Sequence, residues 1–111
     1  MKAAHLPRHQ LVIPLTIFWA TDLNALDKML LAEIIWCQDY ATKKSIDKGY
    51  CYAKNAYFMA CFNISWVQVS RTISKIAQLG YIKVKQDNGI REITYNFNKC
   101  FERDIMLGLR K

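Results

Sequence analysis

The sequence predicts an α+β domain: a helical core closed by a β-hairpin, with a short C-terminal helix behind it. Three observations carry that expectation. Apolar residues recur at helical spacing through 23–40 and 65–79. Asn88-Gly89 separates two alternating stretches, the strongest short-range signal for a tight hairpin. Both prolines, Pro7 and Pro14, precede Leu15, so nothing interrupts the pattern beyond it.

Size and composition bound the rest. The 111 residues, 52% hydrophobic, suffice for one packed core and fall short of the ~200 that two cores would need. Residues 1–14 read as an N-terminal tail, 15–97 as the domain and 98–111 as a C-terminal tail. The longest apolar stretches, 11–20 and 29–37, are broken by Pro14 and Glu33 and are shorter than the ~20 residues of a membrane span. The opening MKAAHLPRHQ lacks the apolar run and small-residue cleavage site of a secretory signal. A cytoplasmic chain with no membrane partner is expected.

The first long helix is expected over Leu23 to Tyr40. Asn24 serves as its N-cap, with Asp27 three residues on as a variant of the capping box. Leu26, Leu30, Ile34 and Cys37 form its inward stripe, and Glu33 faces the apolar side, where a basic side chain is the expected structural partner. The polar segment 41–49 reads as a loop, and Tyr50 to Ala53 as a short strand. Asn55 is the expected N-cap of a compact helix over Ala56 to Cys61. Phe62, Asn63 and Ile64 form a turn, and Ser65 caps a longer helix that Gly80 stops.

On that helix Val69, Ile73 and Ile76 point inward, while Gln68, Arg71 and Lys75 lie on the opposite side. The hairpin strands are 81–86 and 90–97. With Asn88-Gly89 as the loop, Lys85 faces Glu92, Val84 faces Ile93 and Ile82 faces Tyr95, so the apolar pairs share one face and the Lys83/Thr94 and Lys85/Glu92 pairs share the other. In the tail after 97, Phe101, Ile105, Met106 and Leu109 recur at roughly helical spacing. That predicts an amphipathic helix that folds back on the first long helix or pairs with its copy in a second molecule.

Catalytic and metal chemistry find no foothold. Cys37, Cys51, Cys61 and Cys100 are separated by 14, 10 and 39 positions, and each sits in an apolar or aromatic run. They read as small buried hydrophobes, not ligands. His5 and His9 are four apart, but Pro7 breaks the helix that would align them. The sequence has no phosphate-cradling Gly-rich loop and no nucleophile elbow, and neither histidine lies in the domain. A non-enzymatic protein without cofactor or metal is expected.

Charge supplies the functional signal. The net charge is +7, and residues 41–85 hold eight Lys/Arg against the single Asp47, while 1–40 hold three against four and 86–111 five against four. An excess confined to one structural unit is what phosphate neutralisation requires, since each backbone contact releases counterions.

The element order and two stretches carry a family resemblance. GYCYAKNAYFMA (49–60) followed by FNISWVQVSRTISKIAQLGYI (62–82) resembles the helix-turn-helix segment of bacterial and phage winged-helix proteins. The similarity is greatest to the N-terminal domains of phage and plasmid replication-initiation (replisome-organiser) proteins. It spans about residues 11–97. Its most specific parts are Cys51-x-Ala53-x-Asn55 and Ser65-x-x-x-Val69-x-Arg71-x-Ile73. Trp66 stands where such proteins usually carry a polar residue.

The resemblance implies a winged helix-turn-helix with the helix at 65–79 in the major groove and the hairpin at 81–97 as the wing. A double-stranded DNA-binding protein is then expected, serving as a transcriptional regulator or replication-initiation accessory. The alternative is a winged-helix interaction module that binds an acidic protein partner. Within the DNA reading, Arg71 and Gln68 have the donor geometry for base edges. Lys75, Thr72 and Ser65 are expected at phosphates, with Val67 near a thymine methyl. Lys83, Lys85 and Arg91 of the wing, and Lys54 before the compact helix, are further phosphate contacts. Trp66 packs between helices or stacks on the partner.

Overall fold

In the computed structural model residues 10–110 are described; His5, His9 and Lys111 lie outside them. Pro14 precedes a one-turn helix, α1 (Leu15–Phe18), and Asn24 opens α2 (Ala25–Lys44) with the expected capping box. Its side chain accepts from Asp27 N at 2.9 Å, and Asp27 accepts in return from Asn24 N at 2.9 Å. α2 runs one turn past the predicted end and takes in Ala41–Lys44, because Ala41 is buried and prolongs the apolar stripe. Ser45 ends it in the left-handed conformation, and a tight turn at Asp47–Gly49 follows.

The short strand contracts to one residue. Cys51 pairs with Ile93 through two backbone hydrogen bonds of 2.9 and 3.0 Å, placing this segment on the outer edge of the hairpin. α3 (Asn55–Phe62) begins one residue earlier than predicted. Lys54 occupies the cap position and Asn55 lies inside the helix, so its side chain is released for other partners. Asn63, left-handed at φ 52°, turns the chain through Ile64 to Ser65. Ser65 caps α4 (Trp66–Gln78) and Gly80, at φ 88°, leads out of it. That φ is open to glycine at little cost.

β1 (Ile82–Asp87) and β2 (Ile90–Tyr95) pair antiparallel in the predicted register: Ile82 with Tyr95, Val84 with Ile93 and Lys85 with Glu92. Burial of the hairpin is uneven, with β1 exposed after Ile82 and β2 buried at Glu92 and Ile93. Ile82 and Ile93 reach the core, while Val84, paired with Ile93 but on the strand away from Cys51, is exposed. Glu92 is the exception to the expected polar outer face: it is buried and accepts the Tyr52 hydroxyl at 2.8 Å. That bond, with desolvation, pushes the Tyr52 phenol up to about 12.

α5 (Phe97–Met106) realises the predicted amphipathic tail helix. It folds back mainly on α1, while its Cys100 and Phe101 enter the core that α2 shares. The clasp is polar. Asp104 accepts from the Leu15 and Thr16 amides at 3.0 and 2.9 Å and from the Thr16 hydroxyl at 2.6 Å, satisfying donors that a helix start leaves open.

The core joins α2, α3, α4, the hairpin base and α5 through Leu30, Leu31, Ile34, Phe58, Val69, Ile76, Ile93 and Cys100. The Cα radius of gyration, 13.3 Å, matches the ~13 Å expected of one domain this size. The architecture is mixed α+β, with five α-helices and one two-stranded hairpin among the described residues. Among them no helix is long and apolar enough to cross a membrane.

Two buried acids are settled by packing. Glu33 accepts a short hydrogen bond from the Tyr57 hydroxyl. Asp27 is ion-paired with Lys75, tying the start of α2 to α4. Three cysteines are buried as expected, but Cys61, on the outer side of α3, is exposed.

Candidate nucleic-acid interface

The exposed cations singled out in the sequence lie on α4, on β1 and at the start of α3. α4 is stopped and started by its own sequence: Ser65 Oγ accepts from Gln68 N at 3.1 Å, and Gln68 Oε1 accepts from Ser65 N at 2.9 Å, a complete capping box. The buried residues Val69, Thr72, Ile73 and Ile76 fix the helix's rotation about its axis. Opposite them, Val67, Arg71, Ser74 and Gln78 are all exposed, at i, i+4, i+7 and i+11 on one outward stripe. β1 contributes Lys83 and Lys85, exposed and two apart, hence on one face of the hairpin. Lys54, exposed at the α3 cap, is a further cation.

Of the ten residues picked out in the sequence, Ser65, Val67, Gln68, Arg71, Lys54, Lys83 and Lys85 are exposed. Three others are placed differently from expectation. Thr72, only 6% exposed, belongs to the inward face, because the true buried stripe of α4 is wider than Val69, Ile73 and Ile76 and takes in its side. It is not positioned for a phosphate. Lys75 is half-exposed, with its ammonium bound to Asp27, so its charge is neutralised locally. Arg91 turns inward. Its Nη1 donates to Asn55 Oδ1 at 2.6 Å and its Nη2 to the Ala53 carbonyl at 2.7 Å, and burial lowers the guanidinium's pKa. A side chain so held ties the hairpin to α3 and is not an arm for a phosphate strand.

Gln68 is exposed but its amide oxygen is spent on the capping box, which removes half of the bidentate pattern that would read adenine. Ser74 and Gln78 were missed by sequence reasoning. The signal for them was the i, i+4, i+7, i+11 series from Val67, masked by centring the outer face on the charged residues. Of the two expectations for Trp66, packing between helices or stacking on the partner, the first is not met: it is 60% exposed, beside Val67 at 51%.

Charge is unevenly distributed along the chain. From Lys48 to Gln86 the chain contains no Asp or Glu, while it carries Lys48, Lys54, Arg71, Lys75, Lys83 and Lys85. Among the described residues no group of three or more His, Cys, Asp and Glu side chains could hold a metal ion. Comparison of the chain with protein-family models, with curated proteins and with solved structures finds no match to any of the three.

Proposed function

We propose that this chain is a double-stranded DNA-binding protein of winged helix-turn-helix type. α4 enters the major groove and the β1–β2 hairpin, as the wing, lies along the backbone. The observation that carries the reading is the outward stripe of α4, Val67, Arg71, Ser74 and Gln78, set in a stretch free of acidic residues and flanked by Lys83 and Lys85 of the hairpin. The order α2, α3, three-residue turn, α4, hairpin supports it. Arg71 is the residue with the guanidinium geometry for a guanine edge, Gln78 and Ser74 are polar groups on the same stripe, and Lys54, Lys83 and Lys85 supply phosphate contacts. Ser65 adds the helix start, where a phosphate is favoured. A transcriptional regulator and a replication-initiation accessory both use such binding without chemistry of their own.

Self-association is proposed for the C-terminal helix. α5 docks on α1 yet leaves Met106 80% exposed, together with Leu107 and the neighbouring Phe18 and Trp19. Sedimentation of the native chain against Met106→Asp tests it, with a concentration-dependent dimer lost in the variant as the expected result.

The test of DNA binding is anisotropy of a labelled duplex across a salt series. Affinity should fall linearly on logarithmic axes, and Arg71→Ala should weaken it by about 5- to 100-fold. Binding that is flat with salt and unmoved by Arg71→Ala overturns the reading, and transfers the basic face to an acidic protein partner.

A further inference from the structure

Trp66 is the feature that recognition of a regular duplex leaves unused. It is the first residue of α4, its indole is 60% exposed, and the next residue, Val67, is an exposed apolar side chain on the outward stripe. An indole is the largest apolar group a chain can present, and a planar ring stacked on it with an offset adds attraction beyond the area it covers.

What covers it is set by charge. Trp66 lies inside the acid-free stretch from Lys48 to Gln86, with Arg71 on the same helix and Lys54 at the start of the neighbouring one. The occupant is therefore polyanionic and offers a planar face. A nucleobase attached to its phosphate backbone meets both requirements. A stacked base inside a regular duplex presents only its edges, so the face must come from a base that has left the stack.

We infer, resting on the DNA-binding reading above, that Trp66 stacks on a base unstacked from the bound duplex, so that α4 prefers duplexes with a locally opened base pair. Stacking of this kind is sequence-tolerant, because every base has a π-face. Arg71 and the hairpin lysines hold the flanking duplex while the indole takes the displaced base.

The experiment compares three probes of one sequence: a fully paired duplex, the same duplex with one unpaired 2-aminopurine at its centre, and the single strand. The native chain should bind the interrupted duplex about 5- to 100-fold more tightly than the paired one, with 2-aminopurine fluorescence quenched. Trp66→Ala should lose that preference and the quenching while keeping the salt-dependent binding of the paired duplex, and Trp66→Phe should keep part of both. Equal preference in the native chain and Trp66→Ala overturns the inference and leaves the DNA-binding reading standing. So does single-strand binding as tight as that of the interrupted duplex. Absence of salt-dependent binding to any probe overturns both. Trp66-dependent binding of polyglutamate, tighter than that of the duplexes, replaces the nucleobase with an acidic protein.

Discussion

Arg91 on the hairpin and Asn55 at the start of α3 are joined by a 2.6 Å hydrogen bond, and Asn55 passes it on by donating to Ser70 Oγ of α4 at 2.9 Å. A single polar chain thus links the hairpin, α3 and α4, sparing only the Arg91 Nε, which is buried without a partner. The relationship fixes the hairpin's position relative to the helix proposed to read DNA.

Arg91→Ala should therefore destabilise the fold, by about 1–3 kcal/mol, because it leaves the Asn55 and Ala53 oxygens without their donor. Arg91→Lys should not restore it, since a single ammonium cannot reproduce the guanidinium fork. Thermal melting of both variants beside Lys83→Ala, expected within about 0.5 kcal/mol of the native chain, checks the claim. A melting temperature for Arg91→Ala equal to that of Lys83→Ala would refute it.

Gln68 and Arg71 sit three residues apart and should fail in different ways. Gln68→Ala removes half of the Ser65 capping box, and should cost on the order of 1 kcal/mol in stability while leaving the salt dependence of duplex binding intact. Arg71→Ala should leave melting unchanged and weaken duplex binding. Thr72→Val, at a buried position, should leave the salt slope as it is. Paired melting curves and salt titrations separate the three.

Asp104 gives the fold an acid limit. Burial pushes its carboxyl up, but the Thr16 hydroxyl and the Thr16 and Leu15 amides outweigh that and hold it below the ordinary carboxylate value. A depressed folded value means that the stabilisation is complete above the unfolded pKa of ~3.9 and is lost as pH falls through the folded one. Amide exchange at Leu15 and Thr16 should accelerate in that acid window in the native chain. In Asp104→Asn it should already be fast at neutral pH and change little there. Parallel pH profiles would exclude the clasp as the cause.

Tyr57 and Glu33 form the corresponding buried pair between α3 and α2. Burial first, and the hydrogen bond to Glu33 second, raise the Tyr57 phenol above its ordinary value, so its contribution is present below the unfolded pKa of ~10 and is lost only as pH rises past it. Tyr57→Phe removes one of Glu33's hydrogen bonds and should cost about 1–3 kcal/mol. Denaturant titration at neutral pH measures it, and a stability unchanged from the native chain would count against the bond.

Much of the local structure was legible in advance. The Asn24/Asp27 and Ser65/Gln68 spacings, the Gly80 stop and the Asn88-Gly89 turn are short-range devices whose partners lie within a few residues, and each is found where the pattern put it. The candidate site was legible only in outline. Lys54, Arg71, Lys83 and Lys85 follow from charge and position, whereas the fates of Lys75 and Arg91 depend on Asp27, Asn55 and Ala53, which lie far from them along the chain, and that of Thr72 on how α4 is rotated against the core.

By itself the sequence determined the α+β composition, the hairpin register and the basic middle third, because hydrophobic period, turn chemistry and charge are properties of neighbouring residues. Tertiary structure alone decided which cations remain on the surface, that α5 clasps α1 through Asp104, and that Trp66 faces water. These outcomes turn on long-range pairing and on the rotation of α4 against the core. Both are fixed only when buried polar groups from distant segments have found their partners.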